Sequence, residues 1–279
     1  MSHPLVAQLQ SPDPALRRDA CLAAADDPAA VLLVDALVPV LGDPVRAVWR
    51  AASDALVAIA RRDPGVWPAL RSALASPDLR TRRIAALAGA RIAPRELRLL
   101  PPLVEALGSD DGTARWGAAR ALVELGRTQR EVHPLVLQIA QADPNPVARR
   151  MAAFCLRDLA PDDPRTAAAL LAASRDGDLR VHRAALSALA ALLAPPPEVE
   201  ERLREALEQD PDGASRRIAA AVLRALGSSH PGFVGERTRT ALERARDDSP
   251  DPDLRRAAAQ ALADLREEPR VLGAAIRPA

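Results

Sequence analysis

Apolar positions along this chain recur at helical spacing, most clearly in Ser249 to Leu262, SPDPDLRRAAAQAL. Ser249, Pro250 and Asp251 make a turn, Asp251 and Pro252 suit the cap and first-turn positions of a helix, and the Ala and Leu positions that follow share one face. Close copies of this stretch run the length of the chain. Aligned on Arg255, they bring Arg17, Trp49, Arg82, Arg115, Arg149, His182 and Arg216 into one column, at steps of 32 to 39 residues. Four places before this column stand Asp13, Asp78, Asp111, Asn145, Asp178, Asp212 and Asp251; only Val45 breaks the run, with Asp43 two places earlier. Pro12, Pro44, Pro77, Pro144, Pro211 and Pro250 precede the cap position and stop the helix before it.

After the column comes a block of small residues, such as Ala118, Ala119, Ala121 and Leu122, which lets helices approach closely. Between blocks lies a second apolar helix, for example Val31 to Leu41, Leu99 to Leu107 or Val132 to Ala140. Gly42, Gly108 and Gly126 stand at expected helix ends, where a left-handed residue is often needed. Two helices per period, repeated with tight turns, predict an all-α fold: an α-solenoid of about eight antiparallel helix pairs, each burying its apolar face on its neighbours. We expect one solenoid over residues 1–266, with an atypical cap unit at 1–27, a last unit at 228–266, and a tail at 267–279 that extends past the last helix and is a candidate for disorder. Pro195, Pro196 and Pro197 read as a rigid connector within the array, and Gly227 to Gly235 as a flexible loop.

The run Asp-Pro-x-x-Arg-x-x-Ala-Ala-x-Ala-Leu, seen in Ser249 to Leu262 and, with Asn145 in place of the aspartate, in Pro144 to Leu156, resembles HEAT repeats, and more closely their bacterial, phycobilisome-lyase-type branch. The resemblance covers all eight units and implies a right-handed superhelix whose second helices line a concave surface. It does not select an activity, because members of the family include scaffolds, transport receptors, phosphatase subunits, chromophore lyases and DNA-repair enzymes.

Composition narrows the choices. Aromatic residues are 2% of the chain, so the core must be built from Ala, Leu, Val and Ile. The formal net charge of +1 offers no bulk attraction to nucleic acid or acidic membrane. Cys21 and Cys155 lie in small-residue blocks of different units and read as buried free thiols in a reducing compartment, hence a cytoplasmic protein. No stretch approaches the roughly 18 uninterrupted apolar residues of a membrane span. No phosphate loop, nucleophile elbow or metal-ligand spacing is present; His3, His133, His182 and His230 are scattered, and no histidine is followed by glutamate. We therefore expect no catalytic residues, no cofactor and no metal.

The Asp and Arg columns read as a ladder that braces turns and adjacent units. The column after it, Arg18, Arg50, Arg83, Trp116, Arg150, Arg183, Arg217 and Arg256, reads either as a basic stripe or as a solvated face paired with acids of the next unit. One turn further on lies a mixed row that includes Leu87, Arg120 and Phe154. Arginines interleaved with Trp116 and Phe154 suit a protein partner or an acidic peptide segment. The candidate binding residues are Arg83, Trp116, Arg120, Arg150, Phe154, Arg183 and Arg217. The expected function is a non-catalytic scaffold or adaptor. The alternatives are a HEAT-like enzyme of chromophore-lyase or DNA-repair type, or a nucleic-acid-binding scaffold, disfavoured by the scarcity of aromatics for base stacking.

Overall fold

The computed structural model describes residues 3–266, and among these every regular element is helical. The expected tail at 267–279 lies outside the described residues. The helices group into two compact units, Met1–Cys155 and Leu156–Ala279, with the boundary falling inside one helix.

In the first unit the helix pairs are α1 (Pro4–Leu9) with α2 (Pro14–Asp26), α3 (Val34–Val40) with α4 (Arg46–Ala60), α5 (Val66–Ala73) with α6 (Leu79–Ile92), and α7 (Leu100–Leu107) with α8 (Gly112–Gly126). The next pair, α9 (Val132–Ala142) and α10 (Pro146–Leu159), runs into the boundary. The expected first-helix segments Val31 to Leu41 and Leu99 to Leu107 each begin as a 3₁₀ turn before becoming α-helical. In the second unit the pairs are α11 (Pro164–Ala173) with α12 (Leu179–Ala188), α13 (Pro197–Gln209) with α14 (Gly213–Ser229), and α15 (Glu236–Asp248) with α16 (Pro252–Arg266). Sixteen α-helices among the described residues thus form the eight pairs of the period, and the fold is an all-α solenoid. Pro197 occupies the first turn of α13, where a missing N–H costs nothing.

Within each unit, second helices pack side by side, as in α2 on α4 and α4 on α6, or α12 on α14 and α14 on α16. The small-residue blocks make this possible: Ala20, Ala24, Ala52, Ala55, Ala85 and Ala88 are all buried. Leucines of the first helices fill the other side, including Leu37, Leu70, Leu103 and Leu107 in the first unit and Leu170 and Leu203 in the second. A fully buried leucine contributes roughly 1.5–3 kcal/mol, whereas an exposed ion pair contributes up to about 1 kcal/mol. Burial therefore supplies the stability, and the polar ladder sets where each helix starts.

The ladder is a stereochemical unit. Asp13, Asp78, Asp111, Asp178 and Asp212 are the N-caps of their second helices, accepting from backbone amides two or three residues on at 2.7–3.2 Å. Asn145 and Asp251 do the same, from Val147 at 2.9 Å and Asp253 at 2.9 Å. The arginine four places on folds back over the turn: Nη1 donates to the carbonyls five and six residues earlier in Arg17, Arg82, Arg115 and Arg149, and Arg255 reaches Ser249 at 2.7 Å. Where His182 replaces the arginine, its Nδ1 lies 2.6 Å from the Ser174 carbonyl and Nε2 lies 2.8 Å from Asp210, while buried Arg202 donates to the same Ser174 carbonyl at 2.6 Å.

Two expectations change. Gly42, Gly108 and Gly126 do not adopt left-handed backbone; the only positive φ among the described residues is at Gly232. Gly42 and Gly108 are small because the start of the next repeat's second helix, α6 or α10, packs against them: a Cβ on Gly42 would lie 2.6 Å from Thr81 Oγ1, and one on Gly108 would lie 2.6 Å from Asn145 Nδ2. The expected loop at Gly227 to Gly235 is also shorter, because α14 continues to Ser229, with the Ser228 and Ser229 hydroxyls donating to carbonyls four residues back. The remaining turn is anchored by Gly235 N–H on Glu200 at 2.7 Å and by His230 Nε2 3.0 Å from the Leu193 carbonyl.

Asn145 explains its own departure from aspartate: Oδ1 caps α10, and Nδ2 donates to the Gly108 carbonyl at 3.1 Å, which a carboxylate cannot do. Asn145→Asp should therefore destabilise the protein by roughly 1–2 kcal/mol, although it restores the residue that most repeats carry. Urea denaturation measures this, and equal or greater stability of the variant would contradict the assignment.

Candidate protein-binding face

The candidate residues lie on second helices, at the position after the bracing arginine and one turn beyond it. Trp116 on α8 is 47% exposed, and its ring stacks against that of Phe154 on α10 with centroids 5.0 Å apart and planes tilted by 43°. Such a pair contributes about 0.5–1.5 kcal/mol beyond area burial, and Trp116 keeps about half of its surface in water. Gly117 allows this arrangement, since a Cβ there would lie 3.1 Å from the Leu87 side chain that packs beside it. Arg120, one turn along α8 from Trp116, is exposed. Arg150, one turn before Phe154, is half-buried, as is Phe154 itself. Arg83, at the equivalent of Trp116 one repeat earlier, is also half-buried; its Nε is buried without a hydrogen-bond partner, and burial pulls the guanidinium pKa down.

The other two candidates are held differently. In the second unit Arg183 makes a bidentate pair with the cap aspartate of the next repeat, Asp212, at 2.8 and 2.6 Å, and Arg217 reaches the following cap, Asp251, at 2.7 Å. The stripe therefore has two characters: Arg183 and Arg217 act as links between repeats, while Trp116, with Arg120 of the mixed row, is open to solvent. Within the mixed row, Asp54 is also taken, by Arg91 at 2.6 Å.

The first unit holds one feature that sequence reasoning did not assemble. A groove of about 460 Å³ lies at the N-terminal ends of α4, α6 and α8, with Arg46, Arg80, Arg83 and Trp49 in its wall. Its signal was present as Trp49 in the bracing column. The two cysteines are free and buried, and burial pushes the Cys21 thiol up to about 12. Among the described residues no three His, Cys, Asp or Glu side chains form a group that could hold a metal ion, and no helix is long and apolar enough to cross a membrane.

Arg183, with the Ser215 hydroxyl and amide, holds the Asp212 carboxyl well below the usual carboxylate range. A depressed folded-state pKa contributes stability that is present above the unfolded value of about 3.9 and is lost as pH falls through the folded value. Arg183→Gln should thus melt at lower temperature than the wild type at pH 7, and the gap should close below about pH 4. A gap that stays constant down to pH 2 would show that the pair is not the source.

Comparison with known proteins gives a match at the level of the repeat, over part of the chain. Residues 133–224 and 167–263 match the family model for HEAT repeats. No curated protein matches the chain. Among solved structures, importin beta crystallised in an ammonium sulfate condition aligns over 94% of this chain and 40% of its own, at 15% identity and a TM-score of 0.60. A structure in which Kap95p binding induces the switch loops of RanGDP to adopt the GTP-bound conformation aligns over 94% of this chain and 38% of its own, at 14% identity and a TM-score of 0.59. The chain thus spans well under half the length of these two proteins, and the likeness is one of fold. Human deoxyhypusine hydroxylase in complex with glycerol aligns at 19% identity over 95% of this chain and 84% of its own, with a TM-score of 0.40. The matched segments, within residues 133–263, carry HEAT repeats, and the all-α solenoid is similar in fold to the importin type.

Proposed function

We propose that the chain is a non-catalytic scaffold or adaptor that binds another protein, or an acidic segment of one, through its second-helix face. The observation that carries this reading is Trp116, an exposed aromatic stacked on Phe154 at a position where seven of the eight repeats carry arginine. Aromatic and arginine side chains dominate interface hot spots because they combine large contact area with directional hydrogen bonding. Here the aromatic pair supplies the anchor. Arg120 and Arg150, one turn from each ring along its own helix, supply donors for carboxylates, and Arg83 extends the basic character by one repeat.

Arg183 and Arg217 take a secondary part, because Asp212 and Asp251 already engage them. Kap95p, whose fold this chain shares, binds RanGDP; that analogy supports a protein partner in kind but specifies none. Two buried free thiols fit a reducing, cytoplasmic setting.

Affinity capture from the native lysate, followed by titration of the recovered partner, separates the residues. Trp116→Ala combined with Phe154→Ala should weaken binding by about tenfold or more, corresponding to ~1.4 kcal/mol. Arg83→Glu with Arg120→Glu should do the same, while Arg183→Gln with Arg217→Gln should stay within about threefold. Circular dichroism verifies that each variant is folded. Equal affinity across all variants would place the binding surface elsewhere.

A further inference from the structure

The second repeat lacks both parts of the turn that its neighbours share. Val45 occupies the cap position of α4, and no side chain accepts from the amides of its first turn. Trp49 occupies the bracing position, is buried, and has no guanidinium to fold back over the turn. Asp43 does not substitute as the cap of α4: its carboxylate accepts from Arg17 at 2.6 and 3.2 Å and from the Val45 amide at 2.8 Å. Beside this turn, between the starts of α4, α6 and α8, lies the groove of about 460 Å³, lined by Trp49 and by the two neighbours of Val45, Pro44 and Arg46.

Its charges are unevenly committed. Arg46 and Arg80 sit in the first turns of α4 and α6, where the positive end of the helix dipole disfavours a cation. Arg80 donates only to the neutral Asp43 carbonyl, at 3.1 Å. Arg83 points its buried Nε at no acceptor. Of the three carboxylates in the lining, Asp78 closes on the Thr81 hydroxyl and amide at 2.6 and 2.7 Å, and Asp111 accepts from the Thr113 and Ala114 amides. Only exposed Asp110 faces the guanidinium groups uncommitted. Three guanidinium groups, together with three helix N-termini each equivalent to roughly half a positive charge, outweigh three carboxylates. A turn that breaks the local rule in one repeat, beside a cavity with this excess of positive charge, points to a ligand that restores the balance.

We propose that this groove receives a carboxylate-bearing side chain of an acidic partner segment, which takes the place of the missing cap and lies between Arg46 and Arg83. The donors suit it: guanidinium forks match a carboxylate in two hydrogen bonds, and the open amides of α4 add the contacts that Asp makes in the other repeats. The nature of the ligand rests on the acidic-segment reading above, while the groove residues, other than Arg83, are additional to it.

The chain has three tryptophans, so its indole N–H resonances form three reporters: Trp49 in the groove, Trp116 in the aromatic pair, and Trp67 on α5 outside both. Titrating the full chain with a hexaglutamate peptide should shift Trp49 saturably, and a hexaglutamine peptide should not. Val45→Asp gives α4 the cap its neighbours have and places an internal carboxylate next to Arg46, at the edge of the groove. It should weaken the hexaglutamate effect on Trp49 at least about tenfold without lowering the melting temperature, and Arg83→Gln should weaken it several-fold. A Trp49 response that is equal for hexaglutamine, or unchanged in both variants, overturns the proposal. A hexaglutamate response at Trp116 alone overturns the groove and leaves the acidic-segment reading standing. A groove response that persists in Trp116→Ala, with partner affinity also unchanged there, supports the groove and removes the aromatic anchor. No response at any indole overturns both.

Discussion

The first-turn amides of an α-helix have no partner inside the helix, and a fold made of many short helices meets that problem at every turn. In this chain one answer recurs: a cap aspartate satisfies the amides, and an arginine four residues on holds the carbonyls of the preceding turn. The two groups together fix where a second helix begins and how the chain enters it. Everything else follows from that register, including which alanines face the neighbouring repeat and which side chains remain on the open face.

The same units also connect neighbours, with different chemistry in different places. Asn145 contacts the Gly108 carbonyl, Arg183 reaches Asp212 and Arg217 reaches Asp251, so a residue that caps one helix often makes a contact with the repeat before it, while Arg17 reaches Asp43 just ahead of α4. These links contribute less than the buried leucines, but they are directional, and direction is what a repeat needs to hold its phase. Where the cap and brace are both missing, at Val45 and Trp49, the phase is kept by burial and by Arg17 on Asp43, and a charged groove is left open.

Much of this was legible in the sequence because capping is local: aspartate, proline and a helical apolar pattern lie within a dozen residues of one another, and all eight second helices start where the column places them. The bracing role of the arginine column was legible for the same reason. What depended on the neighbouring repeat was not. Gly42 and Gly108 were read as left-handed ends, yet their smallness answers to Thr81 and Asn145, more than thirty residues away. Arg183 and Arg217 looked identical to Arg83 in the stripe, and only the position of the next cap separates a tied arginine from an untied one. The groove needed three helix starts to be brought together before Trp49 could be seen to share one opening with Arg46, Arg80 and Arg83.

The central claim is that seven second helices carry a side-chain cap on their first turn, that six of these turns also carry a bracing side chain on the preceding carbonyls, and that α4 has neither. Native-state hydrogen exchange reads this directly. The account predicts that the capped amides of Ala15, Thr81, Thr113, Val147, Arg180, Ser215 and Asp253 exchange slowly relative to their intrinsic rates, whereas those of Arg46 and Ala47, which no side chain caps, exchange close to theirs. Protection of Arg46 and Ala47 equal to that of the capped set, in the protein free of any partner, would contradict it.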